Sequence, residues 1–173
     1  MLRTFILFFV AIVIYSCSTQ ETTSVQLNSP DGTITVTISC FPDSFYYAVT
    51  MDNISIIKKS LLGFEFNNQP PLADSLKIIS VTQSSANEQW TQVWGETKQI
   101  TDKHNQVTIE LEEMRAAGRK LNLIFEAFND GIAFRYQIPE QVGIDSIFIT
   151  NEKTEFHLAQ NYSSWFIPAH YDS

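Results

Sequence analysis

The side chains best equipped for chemistry are three histidines, nineteen acidic residues, two cysteines and three tryptophans. Most lack the spacing that chemistry needs. His104, His157 and His170 lie far apart and form no paired-ligand pattern for a metal, so each reads as a surface or structural histidine. No Gly-rich phosphate loop, Cys-x-x-Cys pair or Gly-x-Ser-x-Gly elbow occurs. Glycoside cleavage requires two carboxylates facing each other across a sugar, roughly 5–10 Å apart. Linear spacing cannot display such a pair, and Glu110 with Glu112 reads as the solvated outward face of a strand. The segment Trp90-Thr-Gln-Val-Trp-Gly-Glu96 is more informative. An indole can stack on a sugar face, and Glu96 can meet a ligand. Burial of both tryptophans in a core is the commoner use, and a surface turn explains Glu96 equally well.

These residues must be positioned by strands. Thirteen Phe, six Tyr and three Trp, within a hydrophobic fraction of 44%, suit pleated packing. Val25 and Leu27 lead to the turn Asn28-Ser-Pro-Asp-Gly32, after which Ile34, Val36 and Ile38 alternate with polar residues. Strands are expected over 45–51, 54–57, 61–66, 76–81, 107–111, 144–149 and 154–158. A breaker stands at Asn67–Pro71, and a weaker strand over 91–100 is interrupted by Gly95. Glu112–Lys120 has the composition for one helical turn, limited by Gly118. The clearest hairpin spans 121–138, with Asn129-Asp130-Gly131 at its turn. Its second strand, rich in large apolar groups, is expected to be central in its sheet. About a dozen short strands with turns at this spacing predict an all-β fold, a large antiparallel β-sandwich.

At 173 residues the chain makes one domain with a proper core. A net charge of −8 with no basic run excludes nucleic-acid binding. Arg3 precedes an apolar run from Phe5 to Tyr15, shorter than the ~20 residues needed to span a bilayer but of signal-peptide size. Ile14-Tyr-Ser-Cys17 resembles a bacterial lipobox, although Ile14 stands where Leu is usual and Tyr15 is bulky. The expected organisation is a lipoprotein signal over 1–17 with lipidation at Cys17, a tether over 18–24 and a domain over 25–173. A simple secreted protein and an uncleaved anchor are the alternatives. Cys40 reads as a small apolar residue at a strand end, with a Cys17–Cys40 disulfide as the alternative.

Several of these segments together resemble the N-terminal domain of glycoside hydrolase family 97. They are Ser29-Pro-Asp-Gly32, Tyr46-Tyr-Ala-Val, Leu62-Gly-Phe64 and Val93-Trp-Gly-Glu96. Asn129-Asp-Gly-Ile-Ala-Phe-Arg-Tyr136, Glu152, Thr154-Glu-Phe156 and Ser164-Trp-Phe-Ile-Pro168 complete the series. Each is weak alone; their order and spacing carry the likeness. The resemblance implies a galactose mutarotase-like supersandwich, followed in the family by a (β/α)8 barrel bearing the catalytic carboxylates. It also implies an enzyme cleaving α-glucosidic or α-galactosidic linkages in oligosaccharides, with calcium in the complete active site. A family Tyr-Glu pair, whose Glu helps hold that calcium, would lie just past Ser173. The sequence therefore implies no catalytic residue, metal ligand or cofactor of its own, and no activity alone. Trp165, His170 and Tyr171, on the segment leading to that site, are the candidate sugar-binding residues. Packing on the barrel is their other reading. Besides the α-linked oligosaccharide and the barrel, the lipid anchor implies a membrane contact and a periplasmic or outer-membrane location. The rival is a stand-alone carbohydrate-binding lipoprotein, which exposed Trp90 and Trp94 would favour. An aldose epimerase would require a histidine and a carboxylate meeting in one cleft.

Overall fold

The computed structural model describes residues 24–163, apart from Ala116, Gly143 and Asp145. Cys17, Trp165, His170 and Tyr171 lie outside the described residues, as do the expected signal segment and most of the tether. The described chain contains strands and no helix. In order they are β1 (Ser24–Asn28), β2 (Ile34–Phe41), β3 (Ser44–Met51), β4 (Ile54–Leu61), β5 (Phe64–Phe66) and β6 (Gln69–Leu72). β7 (Leu76–Thr91), β8 (Gln99–Glu113), β9 (Lys120–Ala127), β10 (Ile132–Gln137) and β11 (Ile149–Glu152) follow.

Two four-stranded antiparallel sheets, ordered β1-β2-β3-β4 and β10-β9-β8-β7, pack face to face. The period-two alternation explains why. Val36, Ile38, Phe45 and Tyr47 turn inward from the first sheet, and Val107, Ile109, Leu123 and Phe125 from the second. The Tyr47 ring centroid lies 5.6 Å from that of Phe125 and 5.4 Å from that of Phe134. Burying each such side chain contributes about 1.5–3 kcal/mol. A third sheet, β11-β5-β6, closes one end.

The turns follow their residues. Gly32 takes a positive φ of 78° and donates its N–H to Ser29 O at 2.9 Å. Asp31 accepts from the Ser29 hydroxyl at 2.7 Å and from Thr33 N–H at 3.0 Å, which holds its carboxyl below the usual range. In the second hairpin, Phe128 N–H donates to Gly131 O at 2.8 Å, and β9 and β10 pair from Ala127–Ile132 to Asn122–Gln137. The expected hairpin is thus formed.

Several expectations need correction. β10 is the outer strand of its sheet among the described residues, not a central one. Its apolar residues Ile132, Phe134 and Tyr136 share one face, while Ala133, Arg135 and Gln137 are exposed on the other. β9, with Leu123, Ile124 and Phe125 buried in succession, is the central member of the hairpin. The strands expected at 76–81 and 107–111 are only the core-covered ends of β7 and β8, which run for 16 and 15 residues. The supposed strand over 91–100 is largely the connection between them. The described residues of 112–120 make no helical turn: β8 continues to Glu113, and β9 begins at Lys120. The breaker region still contains β6, where Pro70 and Pro71 are tolerated on an edge strand. Among the described residues of 144–149 only Ile149 is in a strand, and Thr154–Leu158 makes a single bridge, Leu158 to Ile57.

Candidate functional site

Three of the segments that carried the family likeness meet in space. Gly63, between β4 and β5, has φ +127°, and an added Cβ would lie 2.5 Å from Leu72 O. Only glycine fits there. Its N–H donates to the Tyr136 hydroxyl at 3.2 Å, and that hydroxyl also shares a hydrogen bond with Thr154 Oγ1 at 2.8 Å. The Phe64 ring meets Tyr136 edge-on at 4.6 Å. Burial raises the Tyr136 phenol, so it stays neutral and serves as a hydrogen-bonding joint. Nearby, the Tyr47 hydroxyl donates to Glu155 O at 3.0 Å, and Glu155 Oε2 accepts from Leu61 N–H at 3.0 Å. Burial pushes Tyr47 up to about 12. Leu62-Gly-Phe64, Phe134-Arg-Tyr136 and Thr154-Glu-Phe156 therefore form a structural junction between sheets.

A second cluster had no sequence forecast. Glu113 and Arg119 are both buried, and the Arg119 fork donates to Glu113 Oε2 at 2.9 Å and Oε1 at 2.8 Å. Arg119 also donates to Pro70 O at 2.9 Å, while Arg115 donates to Glu113 Oε1 at 3.2 Å and pairs with Asp74. The Arg119 hydrogen bonds, reinforced by Arg115, hold the Glu113 carboxyl below its ordinary value against the cost of burial. This arrangement clamps β6 onto the β8–β9 turn. Glu113 ends β8 and Arg119 stands just before β9, so the two meet across a connection rather than along one element, and the periodicity of a single element passes over the pair.

The ribbon formed by β7 and β8 carries the tryptophans. Gln92 ties its connection together: its N–H donates to Lys98 O at 3.0 Å and its side-chain amide to Thr97 O at 2.7 Å. Trp90 and Trp94 are 48% and 88% exposed and Val93 94%, which corrects the expectation of buried tryptophans. Glu96 is exposed in the same connection.

The remaining polar residues give no catalytic arrangement among the described residues. His104 Nδ1 lies 2.5 Å from Asp102 Oδ1, and His157 Nε2 lies 3.7 Å from Glu155 Oε2. Each pair is two residues apart, a spacing that places neighbours on one face of an extended chain. Glu112 pairs with Lys77 at 3.4 Å, and Glu110 is exposed. Cys40 is buried and makes no disulfide among the described residues, with its thiol pushed up to about 11 by burial. Among the described residues, no group of three or more His, Cys, Asp or Glu gathers in a way that could hold a metal ion. The described residues thus do not by themselves fit a calcium ion.

The model of the Glycosyl-hydrolase 97 N-terminal family matches residues 27–173. A curated relative, a retaining alpha-galactosidase of Bacteroides thetaiotaomicron, is 22% identical over 162 residues, covering 94% of this chain and 22% of the relative. A Glycoside Hydrolase Family 97 enzyme from Pseudoalteromonas sp. strain K8, solved in complex with panose, aligns at 39% identity with a TM-score of 0.75. The alignment covers 78% of this chain and 20% of that one. The same enzyme in complex with acarbose aligns equally well. A beta-arabinopyranosidase shares the fold, with 24% identity and a TM-score of 0.70. The chain spans about a fifth of the length of these relatives. With the fold, the ordered motifs and a family match across most of its length in agreement, this chain belongs to the Glycosyl-hydrolase 97 N-terminal family.

Proposed function

We propose that this chain is the opening part of an exported, lipid-anchored glycoside hydrolase that cleaves α-glucosidic or α-galactosidic linkages in oligosaccharides. The observation that carries the reading is the 39% identity and shared fold with a family 97 enzyme captured with panose and with acarbose. The chain's role in that enzyme is non-catalytic: it contributes to carbohydrate binding and packs on a (β/α)8 barrel that supplies the acid and the base or nucleophile. Trp165, His170 and Tyr171 would then border the sugar pocket, and Cys17 would anchor the protein at the periplasmic or outer membrane. Calcium belongs to the complete enzyme in this reading.

The exposed Trp90 and Trp94 favour a second reading, a stand-alone lipoprotein that captures glycans without cleaving them. A hydrolysis assay separates the two. Native protein captured with an antibody against residues 25–160 should release glucose or galactose from α-linked substrates, whereas the 173-residue chain alone should release neither. Glycan binding without hydrolysis by the native protein would replace the first reading with the second.

A further inference from the structure

Where the β7–β8 ribbon leaves the sandwich, it runs past β1, the outer strand of its sheet among the described residues, and forms with it an open groove of about 250 Å³. The groove is lined by Gln26, Leu27 and Asn28 from β1 and by Gln83, Ser84, Ser85, Asn105 and Gln106 from the ribbon. None of these side chains is charged. The backbone of β1 fixes what the edge presents. Ser29 N–H donates to Ile34 O at 2.9 Å, so in this antiparallel register Leu27 and Ser29 bond to β2. The N–H and C=O groups of Gln26 and Asn28 therefore point away from β2, toward the ribbon. Two carbonyls are already engaged there: Gln83 Nε2 donates to Gln26 O at 3.0 Å, and Asn105 Nδ2 donates to Asn28 O at 2.8 Å. Ser85 Oγ donates to Asn105 Oδ1 at 2.7 Å.

We propose that this groove is a binding site for one neutral saccharide residue. Three features select that ligand class. The outward backbone N–H groups of Gln26 and Asn28 and the neutral amide and hydroxyl side chains of the lining match hydroxyl groups that donate and accept. The absence of any cation from the lining, in a chain of net charge −8, disfavours phosphate or carboxylate ligands. An added peptide strand is also disfavoured, because the carbonyls it would pair with already accept from Gln83 and Asn105. The volume lies below the roughly 300 Å³ at which drug-sized sites begin, consistent with a single ring. No aromatic platform lines the groove, so the site is a weak one.

The choice of an α-glucoside as probe rests on the function proposed above. The full 173-residue chain, labelled with nitrogen-15, would be titrated with maltose to about 20 mM, covering the weak millimolar range. The expected result is saturable shifts of the Gln26 and Asn28 backbone amides and the Gln83 and Asn105 side-chain amides. Ser85→Val should weaken that binding about fivefold, the loss of one hydrogen bond. No saturable shift from a folded chain, shifts confined to the Trp90 and Trp94 indoles, or a response to inorganic phosphate but not maltose would each overturn the proposal. Native protein that hydrolyses α-glycosides while the groove stays silent overturns this inference alone. Maltose binding in the groove of a native protein without hydrolysis overturns the enzymatic reading alone.

Discussion

Removing the Arg119 guanidinium should produce the largest stability loss available from a single polar side chain here. The Glu113 side chain is fully buried and that of Arg119 is 8% exposed. Arg119→Met keeps the bulk over the Phe66 ring, which lies 5.2 Å from the guanidinium carbon, but leaves Glu113 with Arg115 as its remaining partner. It also leaves Pro70 O without its 2.9 Å donor. Breaking a buried pair from one side costs about 3–5 kcal/mol. For a chain of this size each kcal/mol lowers Tm by about 2–4 °C, so the expected loss is roughly 6–20 °C. The double variant Glu113→Leu with Arg119→Met removes both charges and leaves Arg115 paired with Asp74. It should recover at least half of the loss, because no unpaired buried charge remains. Thermal unfolding of the full chain by circular dichroism reads both values. A shift under about 2 °C for Arg119→Met, or a double variant as unstable as the single one, would refute the reasoning.

Other outcomes follow from the same structure. The folded state holds the Glu113 carboxyl below its ordinary value of 4.5. Its contribution is therefore complete above that pH and is lost as the pH falls through the lower folded value. Urea titrations across that window should show wild-type stability declining more steeply than that of Glu113→Gln; parallel declines would contradict the assignment. Gly63→Ala drives a Cβ to 2.5 Å from Leu72 O and 2.6 Å from Ala73, whereas Gly32→Ala meets nothing within 4 Å. Urea unfolding should give about 1 kcal/mol for Gly32→Ala and at least twice that for Gly63→Ala, and equal losses would show that the close approach is absent. Trp94→Ala should change stability by less than about 0.5 kcal/mol while removing a fluorophore open to acrylamide quenching. A larger loss would mean that the indole packs against something.

The sequence made legible those parts whose period or turn chemistry is local. Ile34, Val36 and Ile38 alternate cleanly, and Asn129-Asp130-Gly131 marks its turn, so β2 and the β9–β10 hairpin were readable. The place of β10 in its sheet is not legible: its apolar content suggests a central strand, although Ala133, Arg135 and Gln137 share an exposed face. The outer half of the ribbon carries no strand signal, because Ser84-Ser-Ala-Asn-Glu-Gln89 has no apolar alternation. It is held as strand by its partner β8, not by a core. Trp90 and Trp94 were expected inside on the strength of their size, yet the ribbon carries them beyond the second sheet's partner. The groove was invisible in advance, since its amides come from segments 57 and 77 residues apart and act partly through backbone edges.

The most direct test of the central claim is the mass of the native polypeptide, read by immunoblot of cell envelopes with the antibody against residues 25–160. The account predicts a membrane-associated band larger than 19.7 kDa by at least a ~250-residue barrel. A band at the mass of these 173 residues alone would contradict it.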